Sequence, residues 1–399
     1  MIILVNISFS PSRLSTLTIY LAPSIPDEST AAPDIDRLLL SKEEWPESFI
    51  SNATVKDVIR EIPDYIPMNI PSREGKPRNI DLSTHWNPLQ IFLLFFSFPV
   101  LQIICDSTNS FAFRNHTAKD PWKSIHPIEL LHYFGCLILI GLFGQPPRKY
   151  AWNSRNGYLR DTPISKNRFE QITKYIHFRD RGPNAIVGES WWLKLGEVLP
   201  ILRQKCQKYW DIGSYLTVDE IMISFDGRSV QKVTIPAKPI PVGLKLQGLG
   251  DGGYIYSWEA TRPKLAEFQL STIKFSVAIP ETTPPVFAFL TATQSMVARL
   301  VESLLKGRQF HLYLDNLFVC WRLSQYLKER GIALTGTCRK GACGYPPRLL
   351  ALKGVPTSLN WGALQGTIVK GVFAWLWQDN NLVMGMFSLS LSSFFSLYI

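Results

Sequence analysis

LTVDEIMISFDGRS, residues 216–229, is the stretch on which the fold turns. Val218, Ile221, Ile223 and Phe225 make it β-prone, three acids (Asp219, Glu220 and Asp226) sit inside it, and Gly227 closes it as a turn residue. Strand side chains alternate, so Asp219 and Glu220 face opposite sides. Downstream, SVQKVTIP (229–236), GLKLQGLG (243–250) and GYIYSWEATR (253–262) are short, β-prone and separated by Gly and Pro, the pattern of adjacent strands. Val297, Leu300, Val301 and Leu304 then recur at helical spacing, with Gly307 as the stop. HLYLDNLF (311–318) alternates as a strand, Trp321–Arg330 is a helix ending at Gly331, and IALTGTCR (332–339) is a further strand.

Three strands, a helix, a strand, a helix and a strand is the order of an RNase H-like α/β core with a mixed sheet. In that sheet the first and fourth strands are neighbours, which brings Asp219 and Asp315 to one site. Carboxylates so placed suit Mg²⁺, two ions about 3.5–4 Å apart activating the attacking oxygen and stabilising the leaving one in phosphoryl transfer. Taken singly, each aspartate reads better as a strand-end or turn acid.

Outward from this core the chain changes character. Residues 81–213 are mainly helical: Pro127 suits the first turn of a helix running to Leu142, and Ser165 caps one that carries Phe169, Ile172 and Ile176 on one face. Leu89–Cys105 is the only long apolar run, and Gln90, Ser97, Pro99 and Gln102 interrupt it. It is short for a membrane span and reads as a buried helix. Residues 1–80 form a disordered acidic arm by composition, rich in Pro and Ser, with no basic leader before the opening MIILVNISFS. Residues 27–64 hold ten acids against four bases, which leaves a net charge of +15 on residues 65–399. Such a surplus favours a polyanion, and without a membrane segment it points to nucleic acid and the nucleus. The six cysteines show no paired spacing. Cys338 and Cys343 with His311 lack the second pair that a zinc finger needs.

Several longer words together resemble the piggyBac transposase family. LTVDEIMISFDGRS followed by IPAKPIPVGLK (235–245) resembles its VDE-type strand, G-R-S turn and K-P-x-x-x-G-x-K stretch. HLYLDNLF with LKERGIALTGTCR (327–339) is similar to the second-aspartate block, a D-N-x-F strand leading to a G-T-x-R strand. Upstream, LQIFLLFFSFPVLQIICDSTNSFAF (89–113), with its T-N pair, IHPIELLHYFGCLILIGLFGQPPRKYAW (125–152) and SKNRFEQITKYIHFRD (165–180) are similar to the helical region.

The resemblance implies a piggyBac transposable element-derived protein: a DDE-type, Mg²⁺-dependent transposase ancestry (Mn²⁺ as substitute), double-stranded DNA with TTAA target sites as partner, and a homodimer. It makes Asp219 and Asp315 the first and second catalytic, metal-binding aspartates. The family's third lies on a G-V-D-x-x-D-type helix after a W-x-D-x-x-x-V strand. WQDNNLV (377–383) resembles that strand, but no acid follows Asp379. The core of residues 214–399 is therefore expected to be incomplete and inactive, with the uncharged segment 384–399 covering part of the sheet left bare. The alternatives are a domesticated, non-catalytic DNA-binding protein and a nuclease using Asp379 as third ligand. Arg228, Lys232, Lys238 and Lys245, in a stretch free of acids between Gly227 and Gly250, and Arg339 and Lys340 are the expected DNA contacts. Trp152, Trp191 and Trp192 read as core rather than base-stacking platforms.

Overall fold

In the computed structural model, residues 68–80, 86–143, 151–153, 157–180, 182, 191–260, 290–353, 361–369 and 371–388 are described. The acidic residues 27–64 lie outside them, as do residues 389–399.

The helical region is built on α1 (Pro88–Phe95), α2 (Phe98–Asn115), α3 (Pro127–Leu142), α4 (Lys166–Tyr175) and α5 (Val198–Lys208). Ser165 caps α4 as expected, accepting from the Arg168 N–H. The apolar run from Leu89 is not one buried helix. Ser97 is extended (φ −64°, ψ 160°), Pro99 sits in the first turn of α2, and the two helices meet at 65°. None of α1 is buried. Among the described residues no single helix is long and apolar enough to cross a membrane. Asn109 of the T-N pair is a structural clamp: its Oδ1 accepts from the Ile125 N–H and from Trp122 Nε1, and its amide donates to the Ile125 carbonyl. Trp152 is likewise core, donating to the Ile164 carbonyl and packing on Phe169.

A short β1 (Lys76–Pro77) pairs with β2 (Trp210–Asp211). The nine-stranded main sheet holds β3 (Tyr215–Ser224), β4 (Val233–Thr234), β5 (Val242–Asp251), β6 (Tyr254–Ala260), β7 (Phe310–Leu314), β8 (Ile332–Thr337), β9 (Leu364–Val369), β10 (Val372–Gln378) and β11 (Leu382–Phe387). Their order is β4-β5-β3-β7-β8-β11-β10-β9, with β6 on β5. β3 is antiparallel to β5, β5 to β6, while β3, β7 and β8 run parallel. SVQKVTIP contributes only the two residues of β4, since Pro236 cannot extend a ladder.

One face of the sheet is covered by α6 (Ala292–Val301), α7 (Trp321–Lys328) and α8 (Pro347–Lys353); Leu216, Val218, Leu312, Leu314 and Leu334 pack there with Val297, Leu300, Leu323 and Leu327. α6 ends at Val301, before the expected stop, and Gly307 (φ 81°) turns the chain towards β7 instead. Residues 384–387, expected to lie over the sheet, are inside it: β11 pairs antiparallel with β8, Phe387 opposite Thr335 and Gly385 opposite Thr337.

The described N-terminal residues are part of this body. The Met68 N–H reaches the Ser388 carbonyl, Ile70 packs on Ala333, and Ser214 donates its hydroxyl to the Pro71 carbonyl. Arg73 gives two hydrogen bonds to the Ile212 carbonyl, and the Arg78 N–H bonds Tyr209. Residues 68–79 thus form a strap across the lower ends of β8, β7 and β3.

Candidate active site

Val218 of β3 lies opposite Leu314 of β7, the last pair of that parallel ladder, so Asp219 and Asp315 are the next residues along two neighbouring strands. Here β7 ends while β3 continues against β5, at the carboxyl end of the parallel strands, where open α/β sheets characteristically carry their sites. By alternation Asp219 lies on the face opposite the α6–α7 layer. Glu220 lies on the helix-covered face and forms an ion pair with Lys245 of β5.

Burial, in the first place, pushes the Asp219 carboxyl above the usual range; the neighbouring charges of Asp315 and Glu220 add to this, while the Glu220 N–H bond at 2.6 Å and the Lys238 ammonium oppose it. A cation beside Asp219 would offset both its burial and the like charges near it.

Among the described residues no group of three or more His, Cys, Asp or Glu could hold a metal ion. Two carboxylates nevertheless fit one Mg²⁺, which typically binds through one or two carboxylates, completing its shell with water and substrate phosphate. Asp379 does not join them. It lies in the three-residue turn between β10 and β11, separated from β7 by β8 and β11, and not on the strand that WQDNNLV was expected to form. His311 is also apart: it lies near the opposite end of β7, where its Nε2 and the Thr335 hydroxyl are 2.8 Å apart.

The six expected DNA contacts divide. Arg228 and Lys340 are exposed, and Lys232, Lys238 and Arg339 half-buried. Lys238 sits in a loop closed by bonds from the Ile235 N–H to Pro241 and from its own N–H to Ile235, and its charge acts on Asp219. Lys245 is spent on Glu220. Arg339 donates its Nε–H to the Asn316 Oδ1 at 3.2 Å, beside Asp315. Sequence reading passed over Asn316; the signal for it was the polar residue directly after the strand-end aspartate.

A family model described as Transposase IS4 matches residues 87–395. Over 266 residues the chain is 26% identical to human PiggyBac transposable element-derived protein 2, covering 65% of this chain and 41% of that protein. The chain belongs to the piggyBac transposase family. Human PiggyBac transposable element-derived protein 3 is 25% identical over 328 residues, 79% of this chain and 50% of that protein. The chain therefore spans half or less of these relatives. A piggyBac transposase solved by cryo-EM as a synaptic complex with hairpin DNA shares the fold, with a TM-score of 0.63 at 17% identity over 79% of this chain and 63% of that one. Membership in the piggyBac family gives the mixed-sheet core a transposase-like ancestry.

Proposed function

We propose that this chain is a DNA-binding, transposase-like protein that holds a divalent cation at Asp219 and Asp315 and leaves DNA strands uncut. The observation that carries the reading is the placement of the two aspartates on adjacent parallel strands, with Lys238 and Arg339 beside them. The order β6-β5-β3-β7-β8, antiparallel and then parallel, is that of an RNase H-like core. A bound Mg²⁺ would supply the Lewis acid for phosphoryl transfer. The chain's own part is to orient it through Asp219 and Asp315 and to offer Arg228, Lys232, Lys238, Arg339 and Lys340 to the phosphates of double-stranded DNA. TTAA ends, a homodimer and work in the nucleus belong to the same reading. Its runner-up, cleavage assisted by Asp379, loses support from that residue's position in the β10–β11 turn.

Two measurements test the proposal. Duplex affinity should fall steeply between low and moderate salt, since each phosphate contact releases counterions; an affinity indifferent to salt overturns the DNA assignment. Mn²⁺ should bind weakly and be lost in Asp219→Asn and Asp315→Asn. Cleavage of a TTAA-flanked duplex by the 399-residue chain would show that a third ligand exists.

A further inference from the structure

The two aspartates are not held alike. Asp219 lies inside β3, with ladder pairs before and after it on β5 and its own Oδ1 bonded to the Glu220 N–H. Asp315 stands one residue past the last ladder pairs of β7, Val218↔Leu314 and Leu314↔Gly336, so neither neighbouring strand fixes it. It opens a turn instead, closed by the Phe318 N–H to the Asp315 carbonyl at 3.0 Å. A carboxylate on a turn wanders further than one on a strand, whereas a shared cation needs both oxygens placed to within about 0.5 Å.

We propose that Asn316 is a positioning residue for Asp315, latched by Arg339. Asn316 is the second residue of the turn, and its Oδ1 accepts from Arg339 Nε across the gap that the ladder leaves open. Arg339 is a firm post: the Cys338 N–H before it bonds the Met384 carbonyl of β11 at 2.9 Å, and the Arg339 carbonyl accepts from the Ala342 N–H at 2.9 Å. The latch thus replaces the missing ladder bond and ties the turn to β8 and β11. The ordinary role of Asn in turns, favouring the local backbone, would not need Arg339; a role through the latch does. The inference rests on the reading of Asp219 and Asp315 as a cation site.

A double-mutant cycle on the full chain tests it, with Mn²⁺ affinity read by electron paramagnetic resonance for wild type, Asn316→Ala, Arg339→Ala and the double variant. Each single change should weaken Mn²⁺ about tenfold, the usual cost of losing an outer partner of a ligand. The double should be no weaker than the worse single, because one bond is lost only once. Additive losses, or wild-type affinity in Asn316→Ala, overturn the proposal. Amide hydrogen exchange at Phe318 gives a readout without metal: both single variants should exchange faster by the same factor. If wild type binds no Mn²⁺ the cation-site reading fails, and exchange alone then decides the latch, unchanged protection at Phe318 overturning it.

Discussion

His311 is fully buried on β7, bonded through Nε2 to Thr335, with Tyr313 at 4.2 Å ring to ring and, among the described residues, no hydrogen-bond partner for Nδ1. Burial pulls its pKa down from 6.5 to about 4. A folded pKa below the unfolded one means that the unfolded chain takes up the proton first. Its contribution to stability is therefore full above pH 6.5 and is lost as pH falls towards about 4. Urea denaturation across this range should show His311→Gln with a flatter pH dependence than wild type; parallel curves would mean that other groups carry the acid sensitivity. The buried acceptor was not legible in the sequence, where His311 is one more polar residue in an alternating strand. The strands that carry Asp219 and lead to Asp315 were legible from their β-branched and aromatic residues.

At the scale of elements, the β7–β8 pairing depends on Gly336. A Cβ there would sit 2.1 Å from the Leu314 carbonyl oxygen and 2.8 Å from Val319 Cγ2. The first of these is backbone and cannot swing away. Gly336→Ala should force the strands apart next to Asp315, costing about 1–3 kcal/mol as overpacking usually does, visible as a lower urea midpoint together with weaker Mn²⁺ binding. An unchanged midpoint would mean that the strands can slide. Helices α3, α4 and α7 were readable from local signals, Pro127 in a first turn, the Ser165 cap and the Gly331 stop, while the cap at Cys320, whose Sγ accepts from the Leu323 N–H, was not. The break at Ser97 was masked by an apolar run that continues through both helices. VFAWLWQ was not assigned because five of its seven residues are buried in a row. A strand covered on both faces lacks the alternation that identifies strands.

For the molecule as a whole, the strap of residues 68–79 moves the edge of the folded body into what composition assigned to the acidic arm. Composition could not show it, because the strap's bonds are mostly from backbone or to backbone: Ser214 to Pro71, Arg73 to Ile212, Asn79 to Lys208. A chain begun at residue 81 should melt lower and aggregate more than one begun at residue 66, by light scattering and circular dichroism. Equal melting of the two would reduce the strap to a passenger.

The strap also sets a timetable. Met68 leaves the ribosome early, yet its partner Ser388 is made 320 residues later (388 − 68). Synthesis proceeds at about 5–20 residues per second, so the strap waits tens of seconds for the strands it must cross. Over that interval β7 and β8 emerge before β11 is there to pair with β8. Bacterial expression should therefore respond to chaperone supply more than to codon speed at the N-terminus, because the hazard is the exposed edge of β8 in the nascent chain, and it ends only when β11 arrives to pair with it.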